Sequence, residues 1–167
     1  SRSLLADLSL VGICVVWGTS FAIVKSVVGD TNPATFIAVR FGIASIILGL
    51  IAGPRLKRLD RGTWTAGLLL AVPLVAGFLT QTYGLKVTTA SKAGFITGMH
   101  VVFTPLLEYA IRRRRVLPHQ AAGVAVALVG LGLLTLEGFG RPSAGDLLVL
   151  ACAFAFGLHI VMLGHYS

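Results

Sequence analysis

Long apolar segments separated by short polar ones run through the whole chain. An α-helix rises about 1.5 Å per residue, so about 20 apolar residues cross a hydrocarbon core of about 30 Å. The breaks between the segments carry turn signals rich in Gly, Pro, Asp and Asn. The pattern predicts an all-α polytopic membrane protein with six transmembrane helices, at Leu8–Val28, Ala34–Ala52, Thr65–Leu85, Thr89–Ile111, Gln120–Leu136 and Asp146–Leu163.

The third and fourth predicted helices are joined only by Lys86–Lys92, a polar segment rich in Thr and Ser. Such a short connection predicts a tight helical hairpin. Its second arm ends against four consecutive arginines, Arg112–Arg115. Because a block of positive charge is hard to move across a bilayer, these arginines are expected at the cytoplasmic end of the span.

The other lysines and arginines favour the same orientation. With a cytoplasmic N-terminus, nine Lys and Arg residues fall on the cytoplasmic side and three, Lys86, Lys92 and Arg141, on the opposite side. This distribution follows the positive-inside rule. The first apolar segment is too long for a signal-peptide core, so we expect it to be retained. The protein is therefore expected in the cytoplasmic (inner) cell membrane as a multi-pass protein with its N-terminus inside.

The amino-acid composition is that of an integral membrane protein, for which we expect the lipid bilayer as a partner. Hydrophobic residues make up 56% and charged residues 12%, with a mean hydropathy of +0.89, whereas a soluble domain has about 25% charged residues. The net charge of +8 does not indicate nucleic acid, because the cations form no basic face with interleaved aromatics. Cys14 and Cys152 both lie mid-span, where a thiol behaves as a small hydrophobe, so we expect no disulfide, metal or cofactor.

The sixth predicted helix repeats the first. A shift of 139 positions places Asp7 on Asp146, Trp17 on Phe156 and Gly18 on Gly157. Five spans separate equivalent points, and because five is odd the second copy enters the membrane from the other side. The shift therefore predicts an inverted-topology repeat, an arrangement found in secondary transporters. Since the chain begins with Ser1 and ends at Ser167 directly after an apolar segment, we expect it to be part of a longer protein.

Several segments in this order resemble the EamA-like drug/metabolite transporter superfamily. They are WGTSFAIVK at Trp17–Lys25, the pair Arg40-Phe41, GLKVTTASKAGFI at Gly84–Ile96 and HQAAGVAVALVGLGLLT at His119–Thr135. The resemblance implies a ten-helix carrier built from two inverted five-helix repeats. Residues 1–137 would then form the first repeat, and residues 138–167 would begin the second. One departure is the pair Arg114-Arg115, where the family commonly has Glu-Arg.

The resemblance implies a transporter that exports small polar metabolites or drug-like solutes by alternating access. The sequence contains no HExxH, GxSxG or phosphate-binding glycine loop and no paired carboxylate within a span, so we do not expect an enzyme. The alternative is a non-transporting membrane scaffold that serves assembly only. Polar residues in the middle of the spans favour the carrier, because a scaffold has little need of them. The sequence does not indicate the oligomeric state.

Polar residues deep in the spans are the candidates for the substrate cavity, since a charge at the bilayer centre costs at least about 2.5–3.5 kcal/mol. Arg40 lies about two turns into the second span and could bind a carboxylate or phosphate through its planar fork. It could equally cap backbone carbonyls or pair with a residue in the part of the protein that this chain lacks. Thr97, His100 and Thr104 recur at helical spacing and form one polar stripe. The stripe could line a cavity or only bond to neighbouring helices.

Histidine and aromatic residues complete the predicted cavity. His100 and His159 are the titratable groups nearest mid-membrane, so either could carry a coupling proton, although a neutral, hydrogen-bonded role is the alternative. Trp17 and Tyr83 could provide aromatic walls or cation–π partners, with core packing as the alternative. Ser20 matches His159 in the repeat.

Other polar and small residues are expected to serve the scaffold. Glu108 is expected to pair with the arginine block, and Lys25 to extend its amine towards the interface. The glycine pairs Gly49/Gly53 and Gly94/Gly98 and the weaker pair Gly123/Ala127 are expected at intramolecular helix contacts, with a dimer contact as the alternative.

Overall fold

The computed structural model describes residues 2–113, 116–135 and 143–166, and the regular structure in these ranges is entirely helical. The predicted all-α fold is therefore confirmed. The elements are α1 (Arg2–Asp30), α2 (Pro33–Ala52), a 3-10 helix (Gly53–Arg58), α3 (Arg61–Val87), α4 (Ala90–Gly98), α5 (His100–Arg112), α6 (Pro118–Thr135) and α7 (Ala144–Tyr166).

Five stretches of the described chain are long and apolar enough to cross a membrane. They are Leu4–Asp30, Pro33–Ala52, Arg61–Val87, Ala90–Arg112 and Ala144–Tyr166. α6 occupies the position of the predicted span Gln120–Leu136, whose last residue lies outside the described part of the chain. α1, α3 and α7 extend the predicted spans by two to six residues at each end, because a helix continues into its polar caps after the apolar pattern stops.

The predicted hairpin between the third and fourth spans is present. α3 ends at Val87 and α4 begins at Ala90, so only Thr88 and Thr89 lie between them. The Thr89 side chain caps α4 by accepting a hydrogen bond from the Lys92 backbone N–H at 3.2 Å. The Thr88 N–H donates to the Gly84 carbonyl at 3.0 Å and closes the last turn of α3. Both ends of this short turn therefore have their backbone groups satisfied.

The start of α3 is capped by Asp60, which lies outside the membrane-spanning segments. Its carboxylate accepts hydrogen bonds from the Gly62 N–H at 2.9 Å and from the Thr63 hydroxyl. The Thr63 hydroxyl bond, together with the backbone N–H groups of Gly62 and Thr63, lowers the pKa of Asp60 below its ordinary value. Asp60 is therefore a charged N-cap at the positive end of the α3 dipole.

The predicted fourth span is two helices rather than one. α4 and α5 are separated at Met99, whose N–H reaches the carbonyls of both Ile96 and Thr97. The Nδ1 atom of His100 also lies 2.7 Å from the Thr97 carbonyl oxygen. A side chain that bonds to a carbonyl of the preceding turn competes with the helical hydrogen-bond ladder. The polar stripe is thus divided between two helices.

α7 is the most buried helix of the described bundle. It packs most extensively along α3 and also contacts α4 and α5. Val149, Cys152 and Ala153 on α7 are completely buried. The helices approach closely because α3 and α7 present glycines to one another. A Cβ atom at Gly84 would lie 2.8 Å from the Gly145 carbonyl oxygen. Small residues at a membrane helix contact bring the backbones within van der Waals range.

A buried carboxylate holds the first turn of α7 against the hairpin. Asp146 accepts a hydrogen bond from the Thr88 hydroxyl, and its Oδ2 atom lies 3.7 Å from the Lys92 amine. The Ser143 N–H also donates to Oδ2 at 2.8 Å. These contacts satisfy a charge that is 9% exposed and join the first turn of α7 to the α3–α4 turn.

Lys25 has backbone partners at the end of α3. Its amine donates to the carbonyls of Leu85 at 2.7 Å and Lys86 at 3.2 Å. That this amine extends towards the interface stays a prediction. These carbonyls belong to the last turn of α3, where no further helical N–H is available to bond with them. Lys25 therefore links α1 to the end of α3.

The glycine pairs singled out in the sequence do not make the close contacts. Cβ atoms at Gly49, Gly53, Gly94 or Gly123 would meet no heavy atom within 4 Å. Among the described residues these four glycines therefore make no close helix contact, and their role in packing stays a prediction. The close contacts occur instead at Gly77, Gly84, Gly145 and Gly157. The segment 136–142 and the pair Arg114-Arg115 lie outside the described residues.

We predict that Gly84→Ala destabilises the protein by about 1–3 kcal/mol, because the new methyl would lie 2.6 Å from a Val149 methyl and overpack the α3–α7 contact. Thermal unfolding in detergent micelles, followed by helical circular dichroism, measures the change. Gly67→Ala is the matched control, since Gly67 lies on the same helix with no heavy atom within 4 Å of the added Cβ. The control should be neutral or slightly stabilising, because alanine favours helix. Equal effects of the two substitutions would contradict the prediction.

Candidate functional site

A cavity of about 490 Å³ lies among the helices. Side chains from α1, α2, α3, α4, α5 and α7 line it, so it is formed by most of the described bundle. Its volume lies within the range of small-molecule sites, about 300–1,000 Å³. The lining combines aromatic and aliphatic residues with a few polar ones, contributed by Trp17, Ser20, Phe21, Val24, Arg40, Leu74, Phe78, Gln81, Thr82, Leu85, Gly94, Thr97, Gly98, His100, Phe156, His159 and Ile160.

The fold brings together most of the residues predicted for a cavity. Of the eight predicted residues, six line the observed cavity, namely Trp17, Ser20, Arg40, Thr97, His100 and His159. Tyr83 and Thr104 are not among its lining residues. Tyr83 is 41% exposed, and the Thr104 hydroxyl donates to the His100 carbonyl at 2.7 Å. That the six residues bind a solute remains a prediction.

The guanidinium of Arg40 lies over the ring of Phe78, with 5.3 Å between its Cζ atom and the ring centroid. This distance is within the range of a cation–π contact. Phe78 also packs edge-to-face against Phe41 at 5.0 Å and against Phe156 at 5.2 Å. The ring beneath the cation is thus fixed by neighbours from α2 and α7. The expected alternative, capping of backbone carbonyls by Arg40, is not seen among the described residues.

Gln81 lines the cavity but was not predicted from the sequence. Its Nε2 atom donates to the Thr97 hydroxyl at 3.2 Å and so connects α3 to α4. The signal that could have identified it is its own position, a polar amide within an apolar span beside the hairpin. Phe78 gave no such signal, because an apolar cavity residue in an apolar span cannot be distinguished by sequence from its apolar neighbours.

His159 contacts the backbone of α3 near a proline. Its Nδ1 atom lies 2.9 Å from the Leu70 carbonyl oxygen. Pro73 lies inside α3 and has no N–H to donate, so this part of the helix has disturbed hydrogen bonding. Because a carbonyl oxygen only accepts, the Nδ1 atom of His159 must be the donor. The carbonyl that loses its helical donor to Pro73 is that of Leu69, four residues earlier. The bond to Leu70 therefore links α7 to α3 next to the proline without replacing the bond that the proline removes.

His100 also bonds to a backbone carbonyl, that of Thr97, three residues earlier in the chain. Its Nδ1 atom lies 2.7 Å from the Thr97 carbonyl oxygen and must likewise donate. Both cavity histidines are thus hydrogen-bonded through Nδ1. In the neutral ring the Nε2 atom is then the acceptor. Among the described residues neither Nε2 atom has a hydrogen-bond partner, so each can accept a hydrogen bond from a solute.

The predicted pairing of Glu108 with the arginine block is confirmed for Arg112. The Nη1 atom of Arg112 lies 3.3 Å from Glu108 Oε1. It also donates to the Gly164 carbonyl at 3.2 Å and so links the end of α5 to the end of α7. Among the described residues, no group of three or more His, Cys, Asp or Glu is placed to hold a metal ion.

A bundle of long apolar helices around a partly polar cavity defines a multi-pass membrane protein. The chain belongs to the EamA-like transporter family, whose model matches residues 4–136. The resemblance seen in the sequence is therefore confirmed.

The relatives of this chain carry transporter names. It is 35% identical to an uncharacterized transporter of Archaeoglobus fulgidus, over 99% of this chain and 51% of that protein. It is 26% identical to the uncharacterized transporter YyaM of Bacillus subtilis, over 92% of this chain and 53% of that protein. The chain thus spans about half the length of these curated relatives. No solved structure gives a significant match.

We predict that His100 and His159 are the Nδ1–H tautomers when neutral, because each Nδ1 faces a backbone carbonyl. Nitrogen-15 spectra of histidine-labelled protein in micelles measure the tautomer directly. His119, which is exposed at the start of α6, is the reference for an unconstrained ring. Protonation at Nε2 in the cavity histidines would contradict the assignment.

Proposed function

We propose that this chain forms part of a carrier that exports small polar metabolites or drug-like solutes by alternating access. The observation that carries the proposal is the cavity of about 490 Å³, lined by polar and aromatic side chains within an otherwise apolar bundle. Aromatic walls with a few converging polar groups are the usual composition of a small-molecule site. The family and the names of the relatives support a membrane transporter.

In this proposal, residues 1–137 form a first repeat and residues 138–167 begin a second. The coverage of about half of each relative supports this division. So does the comparison of α7 with α1. Val149 and Ala153 on α7 are buried, whereas the residues equivalent to them under the 139-position shift, Leu10 and Cys14, are exposed on α1. If a helix of the second repeat packs on α1 in the way that α3 packs on α7, that helix would cover Leu10 and Cys14.

The polar contacts between helices suggest how such a carrier could open. Lys25 and Asp146 connect α1 and α7 to the α3–α4 hairpin region, and Arg112 connects α5 to α7 near Gly164. Alternating access would require contacts at one end to break while those at the other remain. In this scheme the Nε2 atoms of His100 and His159 are the groups that would carry a coupling proton.

Topology can be tested by labelling. We expect a cysteine at Asn32 or Ser143 to react with an impermeant maleimide added from outside, and a cysteine at Leu59 to remain unlabelled, because the positive-inside rule places the 3-10 helix in the cytoplasm. Cys14 is replaced by alanine, and Cys152 is buried. Labelling of Leu59→Cys in intact cells would contradict the predicted topology and indicate the opposite orientation.

The carrier can be distinguished from a scaffold by transport. We expect Trp17→Ala and His100→Ala to reduce solute flux by roughly tenfold, the effect of losing about 1.4 kcal/mol of solute binding. Flux of pooled labelled metabolites is measured in vesicles that contain the complete carrier, normalised to protein abundance. Trp64→Ala and His119→Ala are matched controls, since neither residue lines the cavity. A scaffold would give no flux in any variant.

A further inference from the structure

We infer that the cavity selects monoanionic solutes, carboxylates with an apolar body, and that Arg40 binds the carboxylate. This inference rests on the proposed carrier function and names its substrate class.

The charge of the lining gives the first argument. Arg40 is the permanently charged residue among the described lining residues, and none of them is Asp or Glu. A guanidinium stays protonated in proteins. A solute entering an apolar span therefore meets one uncompensated positive charge. One negative charge on the solute balances it, whereas an amine would add a second positive charge to the site, and a dianion would leave one negative charge unbalanced.

The second argument comes from three other cations, Lys25, Lys92 and Arg112, which lie where helices meet. Lys25 donates to two backbone carbonyls, Lys92 lies 3.7 Å from Asp146, and Arg112 pairs with Glu108. Arg40 has neither an ion pair nor a hydrogen bond to any described residue, although it lies within the apolar helix α2. A charge in such a position without a partner is costly. Among the described residues nothing bonds to its N–H groups, so we assign them to a ligand. A partner in the remaining half of the carrier would instead make Arg40 structural, which the variants below distinguish.

The contact with Phe78 explains how the Arg40 guanidinium can be held in position before a solute binds. The Phe78 ring supports its charge, and Phe41 and Phe156 support that ring in turn. The cation–π contact is made to the face of the Phe78 ring, so the N–H groups of the Arg40 guanidinium remain able to donate hydrogen bonds. The planar fork can then bind a carboxylate through two parallel hydrogen bonds. Holding the group in place before binding reduces the entropy lost when the solute arrives.

The remaining lining describes the rest of the solute. Trp17, Phe21, Leu74 and Phe156 offer apolar walls, which suit an aromatic or branched aliphatic body. The two imidazole Nε2 atoms can accept hydrogen bonds from a hydroxyl or amide on that body. The expected substrate is therefore an amphiphilic carboxylate rather than a highly polar sugar.

The test uses three probes with the same phenyl group and nearly the same size: 3-phenylpropionate, 3-phenylpropionamide and 3-phenylpropylamine. Binding to the complete carrier in micelles is measured by calorimetry, and flux is measured separately in vesicles. We expect the carboxylate to bind best. Arg40→Gln should weaken its binding roughly 10- to 100-fold, as expected for lost hydrogen bonds to a charged group, and should leave the amide nearly unchanged.

Two further variants separate a binding role from a structural or bulk-charge role. Arg40→Lys keeps the charge without the fork and should restore part of the carboxylate binding. Arg55→Gln removes a positive charge from the 3-10 helix, outside the cavity, and should leave all three probes unaffected. Circular dichroism of each variant checks folding. Equal losses for the amide and the carboxylate in Arg40→Gln would make Arg40 structural and overturn the inference.

The two measurements keep this inference distinct from the proposed function. Carboxylate binding that depends on Arg40 but is not accompanied by flux would support the site assignment and count against the carrier. Flux with preference for the amine or the amide would support the carrier and overturn the anion site. Absence of both binding and flux for all three probes would count against both.

Discussion

The close contact between α3 and α7 is the constraint on which the rest of the described structure depends. In a bilayer, helices gain little from hiding apolar surface, so they associate through van der Waals contact and polar bonds. Gly84 and Gly145 allow the two backbones to approach, and Gly77 leaves room for the ring of Phe156. This approach places Phe156 beside Phe78. The packing contact therefore also builds one wall of the cavity.

Polar side chains in the bundle fall into two groups. Those of the first group are satisfied by the helices themselves, as Lys25 is by the last carbonyls of α3 and Asp146 by the hairpin. They join helix ends, where free backbone groups are available. Those of the second group line the cavity. Gln81, His100 and His159 bond there to a neighbouring side chain or carbonyl, whereas Arg40 has no hydrogen bond to any described residue. Arg40 therefore has most to offer a solute, because a group already bonded to the scaffold has less.

α1 and α7 show that the same residue pattern can have two environments. Asp146 is 9% exposed and bonded to the hairpin, whereas Asp7, its equivalent in the repeat, is exposed and has no partner among the described residues. Neither helix has a pronounced amphipathic character that would distinguish the two. What differs is the set of helices available to pack against each.

The sequence by itself determined the helices, the hairpin and most of the polar residues of the cavity. Helix length and apolar content are local properties, and a polar residue within an apolar span is visible without any partner. Only the tertiary structure decided which of these residues meet. It separated Thr97 from Thr104 at Met99 and brought Phe78 under Arg40. The physical reason is that contacts between helices depend on the depth, rotation and separation of each pair, which local periodicity does not encode.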